Sequence, residues 1–173
     1  MTLHIKIRAF EPCDALPIQK LFIRAHLSIV VPPSLSELSH TYVSAAVNEE
    51  IGKIADYYKY RGGEFWVALI DQSIVGMFGL VPSHHSKAVE LRRVSVDPEF
   101  RRKGIARAML VFAEQLCIEK GLLKIELSTS AFQKEAISLY STSGYELERE
   151  VILDLAGRKV STFYFSKVLA ANL

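Results

Sequence analysis

Polar and apolar residues alternate from His4 to Phe10, with Ile5 and Ile7 on one face, which predicts a first strand. Glu11-Pro12-Cys13-Asp14 interrupts it, and Asp14 stands where a helix N-cap belongs. Over residues 15–31 the spacing becomes helical, with Leu16, Leu21, Phe22, Ala25 and Ile29 on the apolar side, until Pro32-Pro33 ends the run. Residues 36–60 read as one or two helices whose polar face carries Glu37, Glu49, Glu50 and Asp56. Strands are predicted over 64–70 and 73–81 around an Asp71-Gln72 hairpin turn, and over 88–96 up to Asp97-Pro98. A long amphipathic helix spans 104–120, with Ile105, Ala108, Met109, Phe112, Ala113, Leu116 and Cys117 in one stripe and Gly121 at the C-terminal cap position. A strand over 124–128, a helix over 133–142, and two strands over 145–153 and 160–169 around a turn at 154–158 complete the chain.

Strands interleaved with helices give an α/β (α+β) domain with both parallel and antiparallel pairs, expected to be one domain over residues 1–173. Its length is enough to close a core. With 21 Lys and Arg against 19 Asp and Glu, the small excess of charge argues against a nucleic-acid partner. Cys13 and Cys117 form no CxxC spacing, so a reduced, cytoplasmic setting is expected. Met1 to Arg8 has no signal-peptide apolar core, and the longest apolar run, Phe65 to Ile70, falls far short of the ~18–20 residues that cross a bilayer. A soluble protein without membrane association is the expectation.

Chemistry concentrates where the strand Val94-Ser95-Val96 runs through a turn into Arg101-Arg102-Lys103-Gly104-Ile105-Ala106 and the long helix. Helix-opening N–H groups lack internal partners, and the macrodipole puts positive potential there. A phosphate or pyrophosphate suits such an end. Gly104 permits close approach, Ala106 keeps the first turn small, and Arg101, Arg102 and Lys103 add charge. Neither GxxxxGK[ST] nor GxGxxG occurs, so nucleotide hydrolysis and dinucleotide binding lack their usual loops.

This loop resembles the [QR]-x-x-G-x-[GA] acetyl-CoA pyrophosphate loop of the GCN5-related N-acetyltransferases (GNAT). A second stretch, Ala136-Ile137-Ser138-Leu139-Tyr140 followed by Gly144-Tyr145, resembles that family's later Ala-x-x-Leu-Tyr…Gly-[Phe/Tyr] signature. Leu91-Arg92-Arg93-Val94-Ser95-Val96 and Thr129-Ser130-Ala131-Phe132-Gln133 look most like the camello-type members. Those carry a hydrophobic membrane segment between the first helix and second strand, whereas here residues 25–63 are amphipathic and broken by Pro32-Pro33. The resemblance implies the GNAT fold, a mixed sheet of about seven strands flanked by about four helices. It implies acetyl transfer from acetyl-CoA to a primary amine in a ternary complex, without a metal, with a non-catalytic acetyl-CoA sensor as the alternative.

Under the resemblance, backbone groups of Val94, Ser95 and Val96 pair with the pantetheine arm, and the Val96 N–H lies near the thioester oxygen, where it would stabilise developing charge. Amides from Arg102 to Ala106, with Arg101 adjoining, hold the pyrophosphate, and Gln133 takes the place of a cofactor-contacting Asn. Tyr140 is the candidate general acid, since a phenol of pKa ~10 keeps its proton at neutral pH. Glu90 is the candidate base, or an electrostatic anchor for an ammonium; it shares a strand face with Arg92 and is equally readable as a rim carboxylate paired with Arg92 or Arg93. Glu126 is a weaker candidate. His84-His85 has no third ligand and reads as solvated loop. Tyr57, Tyr58, Tyr60 and Trp66 fit either an acceptor pocket or core packing. The acceptor is a small-molecule or peptide amine, and the acidic residues of the second helical segment favour a cationic one. A homodimer through the final strand, taken as an exposed edge, is also expected.

Overall fold

The computed structural model describes residues 4–155 and 157–170; Met1–Leu3 of the N-terminal stretch and Ala156 of the last predicted turn lie outside the described residues. In chain order the elements are β1 (Lys6–Ala9), α1 (Ala15–Leu27), α2 (Ser36–Glu49), α3 (Ile54–Tyr60), β2 (Glu64–Ile70), β3 (Ser73–Pro82), β4 (Ala88–Val96), α4 (Ile105–Glu119), β5 (Lys124–Ser130), α5 (Lys134–Thr142), β6 (Glu146–Leu155) and β7 (Arg158–Val168). The strands form one mixed sheet in the order β1-β2-β3-β4-β5-β7-β6, and β4 with β5 is its parallel pair.

Both faces of the sheet are covered. Phe65, Val67 and Leu69 of β2 pack with Ile18, Leu21 and Phe22 of α1 and Val43 of α2, while the intervening Ala68 packs with Met109 and Ala113 of α4. This two-sided burial explains why β2 reads as a continuous apolar run rather than a strict alternation. Each fully buried Phe or Leu contributes about 1.5–3 kcal/mol. The Asp71-Gln72 turn joins β2 to β3 with positive φ at both residues (47° and 67°), the conformation that matches strand twist in a two-residue hairpin. Gly121 ends α4 at φ 70°, with the Leu122 N–H reaching back to the Cys117 carbonyl.

Three sequence readings change. Asp14 precedes α1 but caps none of its N–H groups; its carboxylate accepts from the Glu11 N–H at 2.8 Å and pairs with Arg8. Burial would raise this carboxyl's pKa, but the Arg8 hydrogen bond is the largest influence and holds it low. The final strand is not an edge, because the β6–β7 hairpin folds back so that β7 inserts between β5 and β6. Glu50 does not sit on a solvated helix face: it is 2% exposed, just past the end of α2. No helix among the described residues is long and apolar enough to cross a membrane.

Candidate active site

The sheet opens at its centre. β4 and β5 pair only through Ala88–Lys124, Val89–Ile125 and Glu90–Glu126. Beyond that point β4 stays on β3 while β5 follows β7 to Ser130, so two parallel strands diverge. A bulge sharpens the divergence: Met77 opposes Ser95 but Gly79 opposes Arg92, leaving one extra residue in β4. Arg93 absorbs it at φ 56°, a conformation costly for a residue with a Cβ and retained where surrounding contacts enforce it.

The opening is a cleft of about 740 Å³ between Val94–Val96, the loop into α4 and the first turns of α5. Arg101, Arg102, Gly104, Ile105 and Ala106 line one end, and Gln133 and Tyr140 another. Gly104 has φ 80°, and a Cβ there would meet nothing within 4 Å. The glycine is therefore demanded by backbone conformation, and the space above it is open. The first bond within α4 runs from the Ala108 N–H to the Gly104 carbonyl at 3.0 Å. The N–H groups of Ile105, Ala106 and Arg107 have no helical acceptor and stand at the positive end of the macrodipole.

Two of the three basic loop residues have other commitments. Arg101 donates to the Ala25 carbonyl at 3.1 Å and to Ser28 Oγ at 2.8 Å, tying the loop to the C-terminal end of α1. Arg24 of α1 pairs with the buried Asp97 in the same joint. Lys103 lies over the Phe100 ring, 4.7 Å from its centre, and does not line the cleft. Of the three, Arg102 is the one that lines the cleft without such a tie, and Arg107 and Lys134 also line it.

A second cavity of about 270 Å³ adjoins the first, and His26, Val94, Gln133 and Tyr140 line both. Tyr140 is 6% exposed and its burial raises the phenol pKa, so it is a proton donor throughout the neutral range. Glu90 lines this cavity and accepts from Arg92 at 3.0 Å. Thr129 also lines it, 5% exposed, with its Oγ1 buried and unpartnered. A buried hydroxyl without a partner is costly, and here it borders the space a ligand would fill.

Beneath the second cavity lies a charged network that the alternation of strand residues did not predict. The bulge turns both Arg92 and Arg93 onto the face carrying Glu50. One Glu50 oxygen accepts from Arg92 at 3.1 Å and from Arg93 at 3.0 and 2.7 Å; the other accepts from Tyr58 Oη at 2.7 Å. Burial alone would raise the Glu50 pKa, but Arg93, Tyr58 and Arg92 together hold it below the usual carboxylate range. Arg93 also reaches Tyr42 Oη, and Arg92 reaches Tyr57 Oη at 3.3 Å.

The remaining candidates disperse. Glu126 accepts from Ser83 at 2.6 Å and pairs with His85 and Lys124, near the paired ends of β4 and β5. Trp66 packs on Phe112 at 4.9 Å, on the α4 side of the sheet. Tyr58 is core and Tyr60 points to solvent, and the tyrosines lining the second cavity are Tyr42 and Tyr140. No group of three or more metal-ligating side chains occurs among the described residues. His26, in the last turn of α1, and Tyr42, in the middle of α2, were missed because nothing in helical periodicity distinguishes a pocket-facing residue from a solvated one.

A family model described as the acetyltransferase (GNAT) family matches residues 33–145. The chain is 36% identical over 99 residues to the probable N-acetyltransferase 14 of Xenopus tropicalis, covering 57% of this chain and 48% of that protein. It is 31% identical over 128 residues to the human N-acetylaspartate synthetase, covering 69% and 42%. The chain thus spans about half the length of the curated relatives it matches. The structure of the PaiA N-acetyltransferase from Thermoplasma acidophilum in complex with coenzyme A superposes with a TM-score of 0.74 at 19% identity, covering 96% of this chain and 99% of that one. Diverging central strands, a glycine-bearing loop opening a helix and a match through most of the chain agree: this protein belongs to the GNAT acetyltransferase family.

Proposed function

We propose that this protein transfers the acetyl group of acetyl-CoA directly to the primary amine of a small, carboxylate-bearing acceptor. The observation that carries the reading is the junction of two cavities at Val94 and Tyr140. The larger suits an extended cosubstrate, with the N–H groups and positive end of α4 facing its pyrophosphate. The smaller suits an acceptor about the size of an amino acid.

Within this reading, backbone groups of Val94, Ser95 and Val96 pair with the pantetheine arm, and the Val96 N–H polarises the thioester carbonyl. Tyr140 gives its proton to sulfur as the C–S bond breaks. Glu90, at the cavity wall, offers a carboxylate that attracts the acceptor's ammonium form. Arg92 and Arg93 supply the guanidinium donors that favour a carboxylate on the same acceptor. That a relative is named N-acetylaspartate synthetase agrees with such an acceptor. The free thiols, Cys13 exposed and Cys117 buried, suit a reducing cytoplasmic setting, and Cys117, pushed up to about 11 chiefly by burial, is not poised to carry an acyl group.

The test is free-thiol release from acetyl-CoA over a panel of L-amino acids, L-aspartate included, beside simple amines without a carboxylate. Release that depends on amine and is faster with the carboxylate-bearing members supports the reading. Binding of acetyl-CoA without release by any amine would instead identify a sensor.

A further inference from the structure

The proposed transfer leaves one proton without a destination, and the structure offers a group for it on an element the sequence did not implicate. His26 occupies the last turn of α1 and lines both cavities. Its ring packs on that of Phe22 at a tilt of 37°, with centres 4.1 Å apart, and lies 5.8 Å from the ring of Tyr42. Nδ1 lies 3.2 Å from the Phe22 carbonyl oxygen. A carbonyl only accepts, so Nδ1 carries the hydrogen and Nε2 of the neutral ring keeps its lone pair. Among the described residues nothing hydrogen-bonds Nε2. Helix geometry fixes the tautomer, aromatic packing fixes the ring, and the basic nitrogen remains available beside the cavity junction.

We infer that His26 is a catalytic residue, its Nε2 accepting the proton that the acceptor nitrogen releases as it bonds to the acetyl carbon. This assignment rests on the transfer reading given above. The amine, drawn in as its ammonium form, reacts as the free base after losing its first proton to water. Its lone pair forms the C–N bond, its remaining excess proton passes to Nε2, and the C–S bond breaks with its electron pair going to sulfur. Tyr140 protonates the thiolate. The imidazolium and the phenolate then return to their resting forms by exchange with water, leaving amide and CoA thiol.

Burial foremost, with Arg93 and Arg101 adding repulsion, holds the imidazole down at about 4. It therefore stays neutral at working pH. A weak base of this kind cannot strip a free ammonium, but the nitrogen of a forming amide is far more acidic and meets it during bond formation. Glu90, engaged by Arg92, is left the electrostatic role.

His26→Phe keeps an aromatic ring and removes both nitrogens; His26→Gln retains a polar group without a base. Turnover is measured with saturating acetyl-CoA and the amino acid giving the fastest wild-type thiol release, and acetyl-CoA affinity by calorimetry. The expected result for each variant is a kcat lowered about 100- to 10,000-fold, with acetyl-CoA Kd and acceptor KM little changed. Should the Phe variant fail to fold, His26→Gln decides on the same criteria. Either variant binding acetyl-CoA normally with kcat within about threefold of wild type overturns the assignment alone. A wild type that binds acetyl-CoA but acetylates no amine overturns the transfer reading, and this assignment with it.

Discussion

Replacing Glu50 by Gln removes one charge while keeping size and shape. In the native protein this carboxylate, 2% exposed, accepts four hydrogen bonds and lies against two guanidinium groups. An amide can retain one oxygen for the arginines, but its NH2 group then faces Tyr58 Oη, whose proton loses its acceptor. More important, Arg92 and Arg93 sit side by side with only the half-exposed Glu90 as counter-charge. Breaking a buried ion pair by removing one partner costs about 3–5 kcal/mol, and with Glu90 remaining the lower end, about 3 kcal/mol, is expected. For a domain of this size that corresponds to a melting temperature lower by about 6–12 °C. Urea unfolding monitored by circular dichroism gives the free-energy difference, and an unchanged m-value would show that the unfolded state is not what moved. Because the folded-state pKa of Glu50 is depressed, its contribution is fully present above the ordinary carboxylate range and is lost as pH falls through the lowered value. The gap between wild type and Glu50→Gln should therefore be constant near neutrality and narrow in acid. A loss below about 1 kcal/mol at pH 7, or a gap that widens in acid, would refute this account of the network.

Three other substitutions probe separate parts of the site. Tyr140→Phe removes a hydroxyl from a ring already buried against Tyr145 and Phe165, so kcat should drop about 100-fold or more while calorimetry finds acetyl-CoA affinity preserved. Gly104→Ala meets no steric obstacle in the protein itself but must hold φ at 80°; it should cost about 1 kcal/mol of stability by thermal melting, and weaken acetyl-CoA binding further because the new methyl faces the cleft. Gly79→Ala would place a Cβ 2.2 Å from Tyr58 Oη, which is buried and bonded to Glu50 and cannot swing away. A stability loss of about 2–3 kcal/mol is expected in urea unfolding, with the acceptor KM rising more than the acetyl-CoA KM.

Much of the scaffold was legible because period-two and period-3.6 patterns act locally. The loop from Arg101 to Ala106 and the stretch around Tyr140 stand out in sequence because backbone conformation and helix spacing restrict which residues serve there. The acceptor side was less legible for a physical reason. A single extra residue in β4 puts Arg93 beside Arg92 rather than opposite it, and simple alternation cannot register a bulge. Glu50 resembled any other acidic residue near a helix end, because its burial depends on two arginines some forty positions away. Likewise the position of the final strand depends on how β6 and β7 dock on β5, a long-range choice that an exposed-edge reading does not contain. Arg101 illustrates the converse: its charge was evident, but its role in anchoring α1 to the loop emerges only from tertiary contact.

The most direct test of the central claim is initial velocity measured while acetyl-CoA and the acceptor amino acid are both varied. Two cavities joined at Tyr140, with neither Cys13 nor Cys117 lining them, call for a ternary complex, so the double-reciprocal lines should intersect and mass spectrometry of protein held with acetyl-CoA alone should find no acetylated chain. Parallel lines, accompanied by an acetylated protein that passes its acetyl group to added amine, would contradict direct transfer.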